Sequence, residues 1–146
     1  MLTGDLGQLD RLAARLGELA QVPSRAARDA STEIEGLIDE EFDRGADPYE
    51  EPWQDLAPST EAKGRSAPPL TDTTAMRSSV AVRPLAGAGV GVTIDHPAGV
   101  HQTGWNGPRS SGPARPVLPA RGELPEGWIE ALEKSAERAF RGITRK

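Results

Sequence analysis

The stretch from Met76 to Asp95, MRSSVAVRPLAGAGVGVTID, decides the fold. Val80 and Val82 alternate with Ser79, Ala81 and Arg83, and Val90, Val92 and Ile94 alternate with Gly91, Thr93 and Asp95. Successive side chains of a strand point to opposite faces, so this period of two predicts two strands, each with one apolar face. The first is expected over Met76–Arg83, ended by Pro84. Leu85–Gly89, with its two glycines, is the hairpin connection. A third strand is expected around Arg115–Leu118, and Gly104–Pro113 reads as a long Gly/Ser/Pro loop.

The flanking sequence is helical. Leu6, Leu9, Leu12, Leu16 and Leu19 follow the i, i+3, i+4 spacing of a helix over residues 5–20. Val22-Pro23 interrupts it, because proline lacks an N–H and disfavours helical geometry before it. A helix resumes from Ser24 to Phe42, with Ala27, Ala30, Ile34, Leu37, Ile38 and Phe42 as its stripe, and Gly45 and Pro48 close the region. Pro125 and Glu126 suit the first turn of a last helix, and Arg138, Arg141, Arg145 and Lys146 its C-terminal end. Its apolar side is read as Trp128, Leu132 and Ser135 with Ile129, Ala136 and Phe140. Between the helices and the hairpin, five prolines from Pro48 to Pro69 predict loop, anchored by Trp53 and Leu56. Ser59-Thr60 is expected to cap a short turn reaching Lys63, and residues 64–69 to be mobile.

The expected architecture is therefore α+β in one domain, 1–146. It has a helical N-terminal region (1–44), a loop-rich part (45–75), a small, mostly antiparallel sheet (76–118) and a C-terminal helix (124–143) packed on that sheet. Apolar residues are 36% of the chain and aromatic ones 4%, which is lean for a self-sufficient core. Such a chain is expected to use neighbouring subunits to cover its apolar faces. There is no cysteine, hence no disulfide, thiolate ligand or Cys nucleophile. The N-terminus carries no signal-peptide pattern, and no apolar run is long enough to span a membrane. A net charge of −5 argues against general DNA binding. That charge is uneven: residues 1–28 carry +1, residues 29–55 carry −10, and residues 56–146 carry +4. The acidic stretch holds Glu33, Glu40, Glu41, Asp43, Glu50 and Glu51. It reads either as a solvated face or as a flank that meets the basic part of another copy.

Short motifs punctuate the second half of this pattern. They are Asp47-Pro48-Tyr49-Glu50-Glu51-Pro52-Trp53, Leu70-Thr71-Asp72-Thr73, Met76-Arg77-Ser78-Ser79-Val80, Gly99-Val100-His101-Gln102-Thr103-Gly104 and Pro113-Ala114-Arg115-Pro116-Val117-Leu118. Their order and spacing resemble the phage virion morphogenesis family, the tail-completion and neck proteins of Mu-like and related tailed phages. The resemblance covers roughly the C-terminal two-thirds of the chain. There are departures: Glu50 or Glu51 stands where a glycine is common, Thr73 or Thr74 where Thr-Gly is expected, and Val117 where an aromatic is usual.

What the resemblance implies is structural. Copies would form a ring, six by tail symmetry, at the head–tail junction of a virion assembled in the host cytoplasm. The ring would meet connector or head-completion proteins on one side and tail tube or sheath proteins on the other, with DNA passing through its lumen. The acidic 29–55 segment is then a candidate for the lumen wall, where it would repel DNA. The competing readings are a tail-assembly chaperone or adaptor outside the virion, and a small hydrolase.

Chemistry is sparse in the sequence. His96 and His101, with Asp95 or Asp72, lack a third ligand at a telling spacing, so no metal is expected. In the resembling family His101 belongs to a loop motif, and its ring is expected to hydrogen-bond backbone carbonyls and hold that loop. Ser78 and Ser79 lack the Gly-x-Ser-x-Gly elbow and read as the start of a strand. The pair Glu50 and Glu51 would point in different directions in an extended loop, unlike a glycosidase pair. Gly87 to Gly91 precedes a strand, so it is no dinucleotide fingerprint. No cofactor and no enzymatic activity are expected. The candidate residues are Trp53, His101, Trp105 and Arg115: Trp53 and Trp105 as core caps or interface anchors, and Arg115 as a partner for an acid from the 29–55 region of a neighbouring copy or as a surface arginine with no fixed partner.

Overall fold

The structure, a computed structural model, describes residues 6–64, 69–70 and 74–144. Most of the expected mobile loop 64–69 lies outside these residues, as do Thr71, Asp72, Thr73, Arg145 and Lys146. The chain folds as α+β. Its elements are α1 (Leu6–Ala20), α2 (Val22–Arg44), α3 (Pro58–Glu61), α4 (Thr74–Ser78), β1 (Val80–Leu85), β2 (Gly89–Ile94), α5 (Ala98–Thr103), β3 (Trp105–Asn106), β4 (Ser111–Gly112) and α6 (Glu126–Thr144).

Helix α2 is the spine. Pro23 sits in its first turn, where a missing N–H leaves nothing unsatisfied. It stops at Gly45, which is left-handed (φ 66°, ψ 42°) and returns its amide to the Glu41 carbonyl. Its buried stripe is Ala27, Ala30, Ser31, Ile34, Ile38, Glu41 and Phe42. Helix α6 lies antiparallel along it, since Trp128 meets Glu41 at one end and Arg138 meets Glu33 at the other. The face of α6 that packs here is Trp128, Ala131, Ser135 and Ala139. Small residues at i, i+4 and i+8 let the two axes approach closely. Ile129 and Phe140, read from the sequence as part of the buried side, are 41% and 52% exposed.

The hairpin forms in the register the alternation dictates, with Val80 opposite Ile94 and Val82 opposite Val92. Val80, Val82, Val90, Val92 and Ile94 are partly buried against a core of Ile34, Ile38, Phe42, Trp53, Leu70, Val117, Trp128 and Ala131. Both strands rest on α2, which is also the main partner of α6. The C-terminal helix thus belongs to a helix pair that carries the hairpin, and its principal neighbour is not the sheet.

Four local expectations change. Met76–Ser78 is the end of a helical turn, because Ser79 caps it by donating its hydroxyl to the Met76 carbonyl (2.7 Å). Strand β1 runs through Pro84 to Leu85. With only β2 beside it, β1 has an open edge that a proline can occupy. The short turn after Ala57 is capped by Ala57 and not by Ser59-Thr60. Residues 115–118 form no strand, since their amides and carbonyls bond to side chains and to the backbone of α5 and not to a neighbouring ladder.

Candidate functional site

The motifs that are separate in the sequence meet around the Pro113–Leu118 segment. Arg115 is at its centre, only 5% exposed. Its amide donates to the His101 carbonyl (2.7 Å). Its guanidinium donates through Nε to the Gln54 carbonyl (2.9 Å) and through Nη2 to the Asp55 carbonyl (3.0 Å). Burial lowers the guanidinium pKa, and the nearby Asp55 carboxylate opposes that shift. The expected surface arginine awaiting a neighbour's acid is therefore an internal clamp. Two rigid prolines hold the backbone so that the fork points inward at carbonyls of its own chain.

Trp53 closes the same segment from the other side. Its amide donates to the Gly45 carbonyl and its Nε1–H to the Pro116 carbonyl, both at 2.8 Å. The ring is 5% exposed and meets Phe42 edge to face, with centroids 5.6 Å apart. The loop before it is stapled by Asp47, whose Oδ1 accepts from the Tyr49 and Glu51 amides (2.8 and 2.9 Å). Tyr49 donates its hydroxyl to the Glu123 carbonyl (2.7 Å) and accepts from the Arg121 amide (3.1 Å), which ties the chain leading to α6. Within this turn Glu50 has φ 66°, in the left-handed region. That is a conformation which glycine adopts without strain and glutamate does not.

His101 lies on α5 and not on a loop, and its ring does not hold the neighbouring segment. The ring stands edge to face against Trp105, centroids 5.2 Å apart, and Nδ1 is buried without a hydrogen-bond partner. Burial, then the charges of Arg115 and His96, lower its pKa, which favours the neutral imidazole. Gln102 holds the segment instead. Its Oε1 accepts from the Val117 and Leu118 amides (both 2.9 Å) and its Nε2 donates to the Leu118 carbonyl (2.8 Å). No local pattern in the sequence marks Gln102 for this role, since its partners lie 15 and 16 residues further along the chain.

Trp105 is 38% exposed and opens the 105–112 hairpin, where an unstructured loop was expected. Its Nε1–H donates to the Ser110 hydroxyl (3.2 Å). A Cβ on Gly112 would collide with its ring, and one on Gly104 (φ 71°) would sit 2.7 Å from the Gly112 carbonyl oxygen. Two glycines therefore let the hairpin close. His101, Trp105 and Arg115 share the wall of a groove of about 910 Å³, with Leu70, Met76 and Lys63 among its other lining residues.

The acidic segment divides. Glu41 is 2% exposed and belongs to the core, so it lines no lumen and no subunit face. Its Oε1 accepts from Trp128 Nε1–H (3.4 Å), and Oε2 has no hydrogen-bond partner. Burial pushes this carboxyl up to about 8, against the Trp128 hydrogen bond and the charge of Arg44, which lower it. Four of the other acids pair within the chain: Glu33 with Arg138 (2.8 Å), Asp43 with Arg77 (2.7 Å), Glu51 with Arg121 (2.6 Å) and Glu50 with Arg44 (3.4 Å). Glu40 is exposed. Three arginines of the basic part, Arg77, Arg121 and Arg138, are thus used by this copy.

Ser79, weighed as a nucleophile, spends its hydroxyl on the Met76 carbonyl and the Ala98 amide. Among the described residues no three His, Cys, Asp or Glu are grouped to hold a metal ion, and no helix is long and apolar enough to cross a membrane. No protein-family model, curated protein or solved structure matches this chain.

Proposed function

We propose that the chain is a structural protein of a tailed phage or phage-like particle, acting as a homo-oligomeric ring at the head–tail junction. One observation carries the reading. Three of the five motifs that give the resemblance, Asp47–Trp53, Gly99–Gly104 and Pro113–Leu118, converge on one hydrogen-bonded knot around Arg115 and Trp53. Residues scattered over some 70 positions act as one unit, as a shared fold signature should. The knot uses its polar groups on its own backbone, which suits a scaffold that presents surfaces to neighbours better than a reaction centre. A ring made this way would join connector or head-completion proteins to tail proteins, with DNA passing through its lumen.

The test is mass spectrometry and symmetry-resolved imaging of washed particles from cells expressing the chain with its neighbouring virion proteins. The expected result is a stoichiometric band and six-fold density at the neck. A chain present in the lysate and absent from particles would replace this reading with that of an assembly adaptor.

A further inference from the structure

Two apolar rows on the described surface are uncovered. The first is on α1, where Leu9, Leu12, Leu16 and Leu19 are 42–60% exposed. Their 3-4-3 spacing is that of a coiled-coil contact row, flanked by Ala13 and Ala20. Gln21 has helical angles (φ −87°, ψ −12°), so α1 runs on from α2 and does not fold back over the core. Helix α6 ends six residues after Arg138, whereas α2 begins eleven residues before Glu33, so α1 stands largely past the end of α6. It touches α6 of its own chain without covering the leucines. A lone helix of this length, about 22 Å, is marginal in water, which calls for a partner.

The second row is on α6: Ile129, Ala136 and Phe140 are exposed, and Leu132 and Ile143, in line with them, are half-buried, Leu132 against the core. It lies about a quarter-turn around the helix from the face buried on α2, by the 100° step per residue. Its two largest exposed members are Ile129 and Phe140. Glu126, Glu130, Glu133 and Glu137 run along one side of it. Glu130 and Glu137 pair with Lys134 and Arg141, while Glu126 and Glu133 have no ion pair among the described residues.

The geometry points to these rows as the two halves of one contact between copies: α1 of one chain lies along α6 of the next. Charge fixes the direction. Arg15 flanks the leucines on one side, and Ala13 and Ala20 flank them on the other. With the helices parallel the Arg15 side meets the glutamate side; antiparallel, the uncharged alanine side would meet it. The contact joins two different surfaces, so it is heterologous, and it makes a ring where successive rotations close. Each pairing buries roughly 1,000 Å² in total, the low end for a stable interface, and ring closure repeats it on both sides of every copy. This contact rests on the two rows and not on the virion reading, which it would serve.

Because the chain has no cysteine, engineered pairs are clean probes. The full-length protein should sediment above its monomer mass of 15.5 kDa at roughly micromolar concentration. Mixed single-cysteine chains should cross-link Leu9→Cys to Ile129→Cys and Leu19→Cys to Phe140→Cys. Leu12→Glu/Leu16→Glu should return the mass to monomer with the circular dichroism melt unchanged. If that variant misfolds, the cross-links on otherwise intact chains decide. A monomer at all concentrations, Leu9→Cys coupling to Phe140→Cys, or coupling only between α1 copies would overturn the contact. Cross-links in a chain absent from particles would leave the contact standing and remove the virion reading.

Discussion

Glu41 occupies a position of the α2 stripe, three residues after Ile38 and seven after Ile34, and it faces the core as they do. Its carboxyl is pushed up to about 8 in the fold and is ordinary, 4.5, when unfolded. The folded state therefore keeps a proton that the unfolded state releases. With respect to this group, stability is fully present below about pH 4.5 and is lost as pH rises through 8. Glu41→Gln keeps an acceptor for Trp128 and removes the titration. Wild type and variant should melt alike near pH 4, and the variant should be more stable by pH 9, by on the order of 4 kcal/mol. A gap that is the same at every pH would contradict this. Arg115→Ala should destabilise the free protein by about 2–4 kcal/mol, since it strands the Gln54 and Asp55 carbonyls and leaves a void. Arg115→Lys should recover only part, because one ammonium does not reproduce the fork. Denaturant midpoints of the unassembled chain measure both. If Arg115→Ala unfolds like wild type, the clamp is not what holds the segment.

Among the elements, the Pro113–Leu118 segment shows how one side chain can replace a strand. It has no ladder, and Gln102 on α5 satisfies three of its backbone groups. Gln102→Ala should expose the Val117 and Leu118 amides to exchange by one to two orders of magnitude. It should cost about 2–3 kcal/mol, because Val117 is fully buried and its amide would be left without an acceptor. Native-state hydrogen exchange at those two amides is the readout, and unchanged protection would show that other contacts suffice. Helix α6 makes a second point. Its apolar residues fall on two adjacent rows, and periodicity alone does not rank them. Ala131, Ser135 and Ala139 face α2 because close approach of two helices rewards small side chains, and this leaves Ile129 and Phe140 outside.

At the scale of the whole molecule, the helix pair, the hairpin and the knot form one body, and α1 extends from it. No described side chain of α1 is buried. Removing residues 1–20 should change the unfolding free energy of the remainder by no more than about 1 kcal/mol while abolishing self-association. Chemical denaturation and sedimentation of the shortened chain test both halves of that statement. A large loss of stability would mean that α1 supports the core. The uneven charge is also resolved at this scale, as Arg77, Arg121 and Arg138 bring the basic part of the chain onto the acidic stretch. Such exposed pairs add little stability individually, but together they reduce the acidic field that a lumen wall would need.

The sequence by itself determined the elements whose pattern is local: the alternation that pairs Val80 with Ile94, most of the stripe of α2, a helix break just before Pro23 and the α+β class. These follow from periodicity and from proline geometry, which act within a few residues. Only the tertiary structure decided which row of α6 is buried, that Arg115 and Gln102 point at their own backbone, and that Glu41 is inside. Those outcomes depend on groups some 15 to 90 positions apart coming within hydrogen-bond distance. Desolvation and backbone hydrogen bonding at those meetings set each side chain's role, and no local pattern encodes them.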